Sequence, residues 1–463
     1  MAACLRAFAL ALLAVTAAAA SGQAKTTVPP ASTPGPAKPS PPAGQPAQTK
    51  AAPPSTPPSS TAATQAKTPA ASNPPSSTPA NPISRGDEGS GSAALPPAVP
   101  VRTETGTLDG ASFRIDIPQN WNRGLVLYFH GYMARPQVFD PKYPPSRVLE
   151  EILNRGYAVA RSGYSAGGWA VPQAAADTDA VRRYFHRKYG APREIFLMGH
   201  SMGGLLTLMT IEQDPKNYAG GLALCGVMAP ADMMMQRAFA NRVAFDAFFP
   251  GVLPDVNAIP PSFMMNDIPT ITAVQKSLDA NPKMAAIVRD LADIHTNRAL
   301  ADVLVFNTFV IEDLRLKSGG NPFDNRNLIY TGTDNDPLLN QRVHRYAADP
   351  NAYRFLSSWY SPTGNLRRKL LEVHTIYDPL VPAANTAWYD ELTRRMATGA
   401  DFVQQYVDRD GHCNITAAQT GMAFDELVNW VHNNQRPTPG LLPGSPPPPV
   451  QAPPKPKNPG KPE

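Results

Sequence analysis

The chain has 463 residues, 53 of them proline and three of them cysteine, with a formal net charge of +5. Residues 1–20, 21–98 and 435–463 hold +1, +3 and +3 of that charge, which leaves −2 for residues 99–434. A nearly neutral body with basic ends argues against a nucleic-acid partner, because the positive charge is not held on a folded face. The absence of any C-x-x-C pair weakens a metal reading in the same way.

In chain order, residues 1–20 carry Arg6, then an apolar run that ends in small residues. This reads as a secretory signal peptide cleaved near Ala20, and no later stretch offers the about 18 uninterrupted apolar residues of a membrane span. The mature protein is therefore expected to be secreted or periplasmic, with no transmembrane span. Residues 21–98 are Pro, Ser, Thr and Ala with isolated lysines and read as a disordered linker. The Pro/Lys-rich tail, 435–463, reads the same way, and these basic ends allow loose association with an anionic cell envelope. Cys225 and Cys413 remain after signal removal, an even count compatible with one disulfide in an oxidising compartment.

Residues 99–434 are the expected folded unit, with regular structure starting near Glu104. Residues 112–117 alternate like an antiparallel edge strand, and 125–129 form a continuous apolar run that suits a strand buried on both faces. A loop begins at His130-Gly131. The pattern predicts a helix over 147–155, a strand over 157–160, a loop over 163–168 and a helix over 173–189 ended by Gly190 and Pro192. Strands follow at 194–198 and 221–225. Alternation of this kind predicts an α/β fold with a mostly parallel sheet flanked by helices.

The rhythm stops between about 230 and 365. Helices are predicted there over 231–249, 271–278, 281–291, 298–311, 338–346 and 352–359, which makes the segment a largely helical cap insertion over the sheet. Strands resume at 370–376 and 402–407, with a helix from Pro382 to about 396 between them. Thr416 and Gln419 suit a capping box for a last helix ending near 431.

Chemistry concentrates in Gly199-His200-Ser201-Met202-Gly203, where an apolar strand turns sharply into a helix and lifts a serine hydroxyl clear of the sheet. A serine is a poor nucleophile at neutral pH, so it needs a base, and the base needs a carboxylate to fix its tautomer. His412 alone among the eight histidines lies in a glycine-preceded loop after the last strand. Asp378, at the start of Asp378-Pro379-Leu380-Val381-Pro382, is the expected acid, with Asp408 and Asp410 as rivals. The oxyanion of the reaction calls for amides already aimed at it. Met202 N–H and Tyr132 N–H are the expected donors, with Met133 as the alternative to Tyr132. Tyr164 and Trp169 are candidates for a substrate pocket or for core packing. Met233-Met234-Met235, near Phe239, Phe245, Phe248 and Phe249, offers adaptable apolar surface either to a substrate or to the core of the insertion.

Phe129-His130-Gly131-Tyr132, the Ser201 motif, the Asp378 motif and Gly411-His412-Cys413 together resemble the alpha/beta-hydrolase fold serine hydrolases over about 104–433. The resemblance implies Ser201 as nucleophile, Asp378 as acid, His412 as base, oxyanion amides near Tyr132 and Met202, and a variable cap. A more distant resemblance is to tannase and feruloyl esterases, in which a cysteine before the nucleophile is disulfide-bonded to one after the catalytic histidine. This chain has Cys413 after His412 but His200 before Ser201. What the resemblance implies here is a disulfide from Cys413 to Cys225, at the end of the adjacent predicted strand.

The expected function is that of an exported serine hydrolase cleaving a small-molecule or polymeric carboxylic ester, with no cofactor or metal. An exported peptidase using the same machinery and a non-catalytic envelope-associated binding protein are the alternatives.

Overall fold

A computed structural model describes residues 99–444. Residues 1–98, read from the sequence as a leader and a linker, and residues 445–463 lie outside these. Nine strands form one sheet: β1 (Val101–Leu108), β2 (Ala111–Pro118), β3 (Gly124–Phe129), β4 (Ala158–Ser162), β5 (Glu194–His200), β6 (Gly220–Leu224), β7 (Lys369–Tyr377), β8 (Phe402–Asp410) and β9 (Gly440–Leu441). Their spatial order is β1-β2-β4-β3-β5-β6-β7-β8-β9. The β1–β2 and β2–β4 pairings are antiparallel and the rest are parallel.

Continuous apolarity in the middle strands follows from burial on both faces. Leu125 and Leu127 of β3 join one apolar cluster and Val126 the other; Leu197 of β5 is set against Phe196 and Met198 in the same way. One cluster is covered by α1 (Arg147–Asn154) and α11 (Ala417–Asn433). The larger one is covered by α2 (Val171–Tyr189), α3 (Met202–Gln213) and α10 (Ala384–Arg395), and it runs on into the cap. The Thr416–Gln419 capping box is formed at the start of α11.

Between β6 and β7 lies the helical insertion: α4 (Ala231–Phe248), α5 (Ile268–Ala280), α6 (Pro282–Ala292), α7 (Asn297–Ser318), α8 (Asp336–Arg342) and α9 (Pro350–Ser358). Thr296 caps α7 by accepting the Ala299 N–H, and Gly319 ends it at φ 70°.

Three expectations are corrected. Residues 111–118 are not the sheet edge: β1 lies outside them, and the burial of Ile115 and Asp116 leaves no solvent face for alternation to mark. Helix α7 continues past 311 because Asp313, whose charge reads as a surface signal, turns inward to partners on two loops of the sheet domain. Residues 435–444, which composition assigns to the tail, run along β8. There Leu442 is fully buried and the Arg436 guanidinium donates to the Phe402 carbonyl at 2.7 Å.

Candidate active site

The site is built where β5 turns into α3. Ser201 sits at φ 55° and ψ −119°, a strained conformation for a residue with a side chain, and its N–H is tied to the Leu224 carbonyl of β6 at 2.9 Å. A Cβ at Gly199 would collide with the Gly203 carbonyl, and one at Gly203 with that of Phe129. Only glycine lets the chain close this tightly.

His412 reaches the serine from the loop after β8, with Nε2 2.8 Å from Ser201 Oγ. Its Nδ1 lies 2.7 Å from Asp378 Oδ2, on the loop after β7. The Nδ1–H tautomer, which leaves Nε2 free to accept the hydroxyl proton, is assigned from these partners. Two further bonds fix the loop: Gly411 N–H donates to the Tyr377 carbonyl at 2.8 Å, and Thr375 Oγ1 donates to the Gly411 carbonyl at 3.0 Å. The disulfide between Cys225 and Cys413 anchors the same loop to the end of β6.

Asp378 is buried and fully engaged. Its Oδ1 accepts the Leu380 and Val381 amides, each at 2.9 Å, while Oδ2 takes His412. Burial opposes its ionisation, but the charges and hydrogen bonds of His412 and His374 hold its carboxyl well below the usual carboxylate range. Asp408 and Asp410, the sequence rivals, are displaced by this geometry.

His374 and Glu372 are residues that the sequence reading missed. Both point to the same face of β7, two residues apart, and both are fully buried. His374 Nδ1 lies 2.7 Å from Glu372 Oε1, and its Nε2 lies 2.8 Å from the Val381 carbonyl and 3.5 Å from Asp378 Oδ2. A carbonyl only accepts, so Nε2 carries a proton. Burial pushes the His374 pKa down, yet the adjoining Glu372 charge and the Asp378 bond outweigh it and raise it to about 10. The pairing favours a charged ring behind the acid, while burial raises the Glu372 carboxyl above its ordinary value. The signal was in the sequence: Glu and His at strand spacing on a central strand ask for a buried partner.

The residues of the expected oxyanion amides, Tyr132 and Met202, lie on the same cavity wall as the serine. Met202 opens α3, where the first amides have no intrahelical acceptor. Tyr132, Ser201 and Met202 line one cavity, together with Trp169, Val381 and residues of α4 and α7. Tyr132 OH donates to Asp313 Oδ2 at 2.8 Å, and Trp169 N–H donates to the same oxygen at 2.7 Å. A cap residue thereby clasps both loops at the mouth of the site.

Trp169, open between pocket and core in the sequence, does both: it lines the cavity and is buried in the core, with Nε1–H donating to the Trp359 carbonyl at 3.1 Å. Tyr164 does not; it is buried, stacks on His130 at 3.8 Å between ring centroids and donates to the His130 carbonyl at 3.1 Å. It supports the Tyr132 loop from behind. Of the methionine run, Met234 and Met235 line the cavity while Met233 faces solvent, and Phe239, Phe245, Phe248 and Phe249 pack in the cap core.

Among the described residues, one group of three side chains has metal-ligating atoms close together: Cys225, His412 and Cys413. Its sulfurs are joined to each other and offer no thiolate, and its imidazole is engaged by Ser201 and Asp378. No helix among the described residues is long and apolar enough to cross a membrane.

A buried carboxylate, an imidazole and a serine hydroxyl in series, at the ends of three parallel strands, form a serine-hydrolase-like arrangement suited to acyl transfer from an ester or an amide. A family model described as the alpha/beta hydrolase family matches residues 126–426. Similar solved structures include an esterase of Pyrococcus furiosus, at 13% identity and a TM-score of 0.39, covering 71% of this chain and 91% of that one. Feruloyl esterase B from Aspergillus oryzae has 12% identity and a TM-score of 0.40, over 73% and 80% of the two chains. An acylaminoacyl peptidase of Pyrococcus horikoshii has 12% identity and a TM-score of 0.39, over 72% of this chain but 42% of its own. No curated protein matches.

Proposed function

The chain belongs to the alpha/beta hydrolase family, and from that premise we propose that it is an exported serine hydrolase cleaving carboxylic esters through an acyl-enzyme. The observation that carries this is the series Ser201, His412 and Asp378, with 2.8 Å and 2.7 Å between successive partners.

His412 Nε2 takes the Ser201 proton as Oγ bonds to the acyl carbon. The carbonyl oxygen becomes an oxyanion facing the Tyr132 and Met202 amides. As the tetrahedral adduct collapses, the alcohol leaves with the proton from His412. Water then gives a proton to His412 and attacks the acyl carbon; the acid departs and the proton returns to Ser201 Oγ. Asp378 stays ionised throughout and stabilises the imidazolium.

Ester rather than peptide cleavage is supported by the cavity wall. Its lining is mostly apolar and includes no carboxylate, where an aminopeptidase would need one for the substrate ammonium. Export is supported by the leader read from residues 1–20 and by the Cys225–Cys413 disulfide, which suits an oxidising compartment. The decisive assay compares 4-nitrophenyl acyl esters with amino-terminal and prolyl peptide amides, using wild type and Ser201→Ala. Ester turnover that disappears in the variant is expected. Faster turnover of peptides, lost with Ser201→Ala, would replace the ester reading with a peptidase one.

A further inference from the structure

The cavity beside Ser201 holds polar groups that the reaction does not use. Asn241 of α4 and Asn307 of α7 both line it and are more than nine-tenths buried, at 6% and 4% exposure. Among the described residues neither amide side chain has a hydrogen-bond partner, and the polar atoms of both stay open to the cavity. Arg237 lies one helical turn before Asn241 on the same face of α4 and lines the same wall. One of its nitrogens, Nη2, donates to the Ala292 carbonyl at 2.6 Å, and it makes no ion pair among the described residues. Burial lowers its proton affinity, and the charge of Asp293, outside ion-pair distance, opposes that only in part. Arg237 is half-buried, and a guanidinium withdrawn this far from solvent is ordinarily paired with a carboxylate, as buried amides are ordinarily bonded.

The rest of the wall is apolar, with Met234, Val303 and Val310 among its residues. His412 does not line this cavity. Since His412 protonates the leaving alcohol, the alcohol departs on its side and the cavity takes the acyl part.

We propose that the substrate is an ester whose acyl chain is apolar next to the scissile bond and ends in a free carboxylate, received by Arg237 with Asn241 and Asn307. The proposal rests on the ester-hydrolase reading and names the substrate class of the same site. Charge-assisted bonds to a desolvated carboxylate strengthen ground state and transition state alike, so the gain falls mainly on KM.

The test uses 4-nitrophenyl hydrogen suberate, its neutral methyl ester and 4-nitrophenyl octanoate as substrates of the wild-type chain. In a second arm, calorimetry measures binding of monomethyl suberate and dimethyl suberate to Ser201→Ala. The carboxylate-bearing compound is expected to win by about tenfold or more in kcat/KM, through KM, and by a similar factor in binding. That ratio falls close to one in Arg237→Met and drops partway in Asn241→Leu and Asn307→Leu. If Arg237→Met does not fold, the two asparagine variants and the wild-type ratio still decide. Equal kcat/KM for acid and methyl ester, or equal binding of the two suberates, overturns the inference while leaving the hydrolase reading intact. Preferential binding of the acid by Ser201→Ala with no ester turnover by wild type does the reverse.

Discussion

The two walls of the active site treat polar groups in opposite ways. On the sheet side, Ser201, His412, Asp378, His374 and Glu372 form an unbroken series in which each member is met by the next. On the cap side, Asn241 and Asn307 are buried residues whose amides face the cavity with no side-chain hydrogen bond among the described residues. A connected series holds a catalytic geometry in the resting protein, whereas polar groups left open to the cavity are available to something that comes and goes. The sheet side is machinery and the cap side is recognition.

The comparison breaks most sharply at the serine. Ser201→Ala should lower kcat for an activated ester by roughly 10³ to 10⁶ with a melting temperature near that of wild type, and Asp378→Asn by about 10⁴ with a lower melting temperature, because its buried carboxylate is paired with His412 and His374. Kinetics and circular dichroism on the same preparations check this. Residual activity above a tenth of wild type in either variant would remove the triad from the account.

Glu372→Gln probes the inner end of the series, whose loss should act on folding as much as on rate. Breaking a buried ion pair costs about 3 kcal/mol, read as a lower denaturant midpoint at pH 7. Because His374 in the folded state is raised to about 10 from an ordinary value near 6.5, its stabilising contribution is full below about 6.5. That contribution is lost as pH rises from about 6.5 toward 10. Wild-type stability should therefore decline over that window, and Glu372→Gln should flatten the decline. Parallel curves for the two proteins would show that the pair does not share charge.

Opening the Cys225–Cys413 disulfide, by reduction or by the double serine variant, should lower stability by about 2–4 kcal/mol. At a temperature where the variant stays folded it should keep most of its rate, because Gly411 and Thr375 still position the histidine loop. Asp313→Ala tests the clasp between cap and sheet. It strips the partner from Tyr132 OH and Trp169 N–H, for an expected loss of about 1–3 kcal/mol and a kcat/KM several-fold lower. An unchanged kcat/KM would mean that the Tyr132 loop holds its shape without the cap.

The same contrast explains what was legible in the sequence. Ser201, Asp378 and His412 each follow a strand with a strong local pattern, so periodicity and turn residues locate them before any tertiary contact is known. The helices of the cap are legible in outline, since each predicted stretch overlaps an observed helix, but the reading stopped α7 at 311 and passed over Thr296 and Gly319, the local signals at its ends. Which face of a cap helix meets the sheet is decided by packing between segments far apart in sequence. Asp313 therefore reads as a surface charge, and Asn241 and Asn307 as ordinary polar positions. Glu372 and His374 fall between these cases, visible as a polar pair on a buried strand but meaningful only once Asp378 lies beside them. Residues 435–444 read as tail because prolines dominate their surroundings, although Leu442 has a buried seat beside β8.

One measurement bears most directly on the whole account: intact-mass and peptide analysis after treatment with a serine-reactive fluorophosphonate. The account predicts a single adduct on Ser201 in wild type, absent in Ser201→Ala and formed far more slowly in His412→Gln. A folded wild-type protein that takes up no label, or that carries it on another residue, would contradict it.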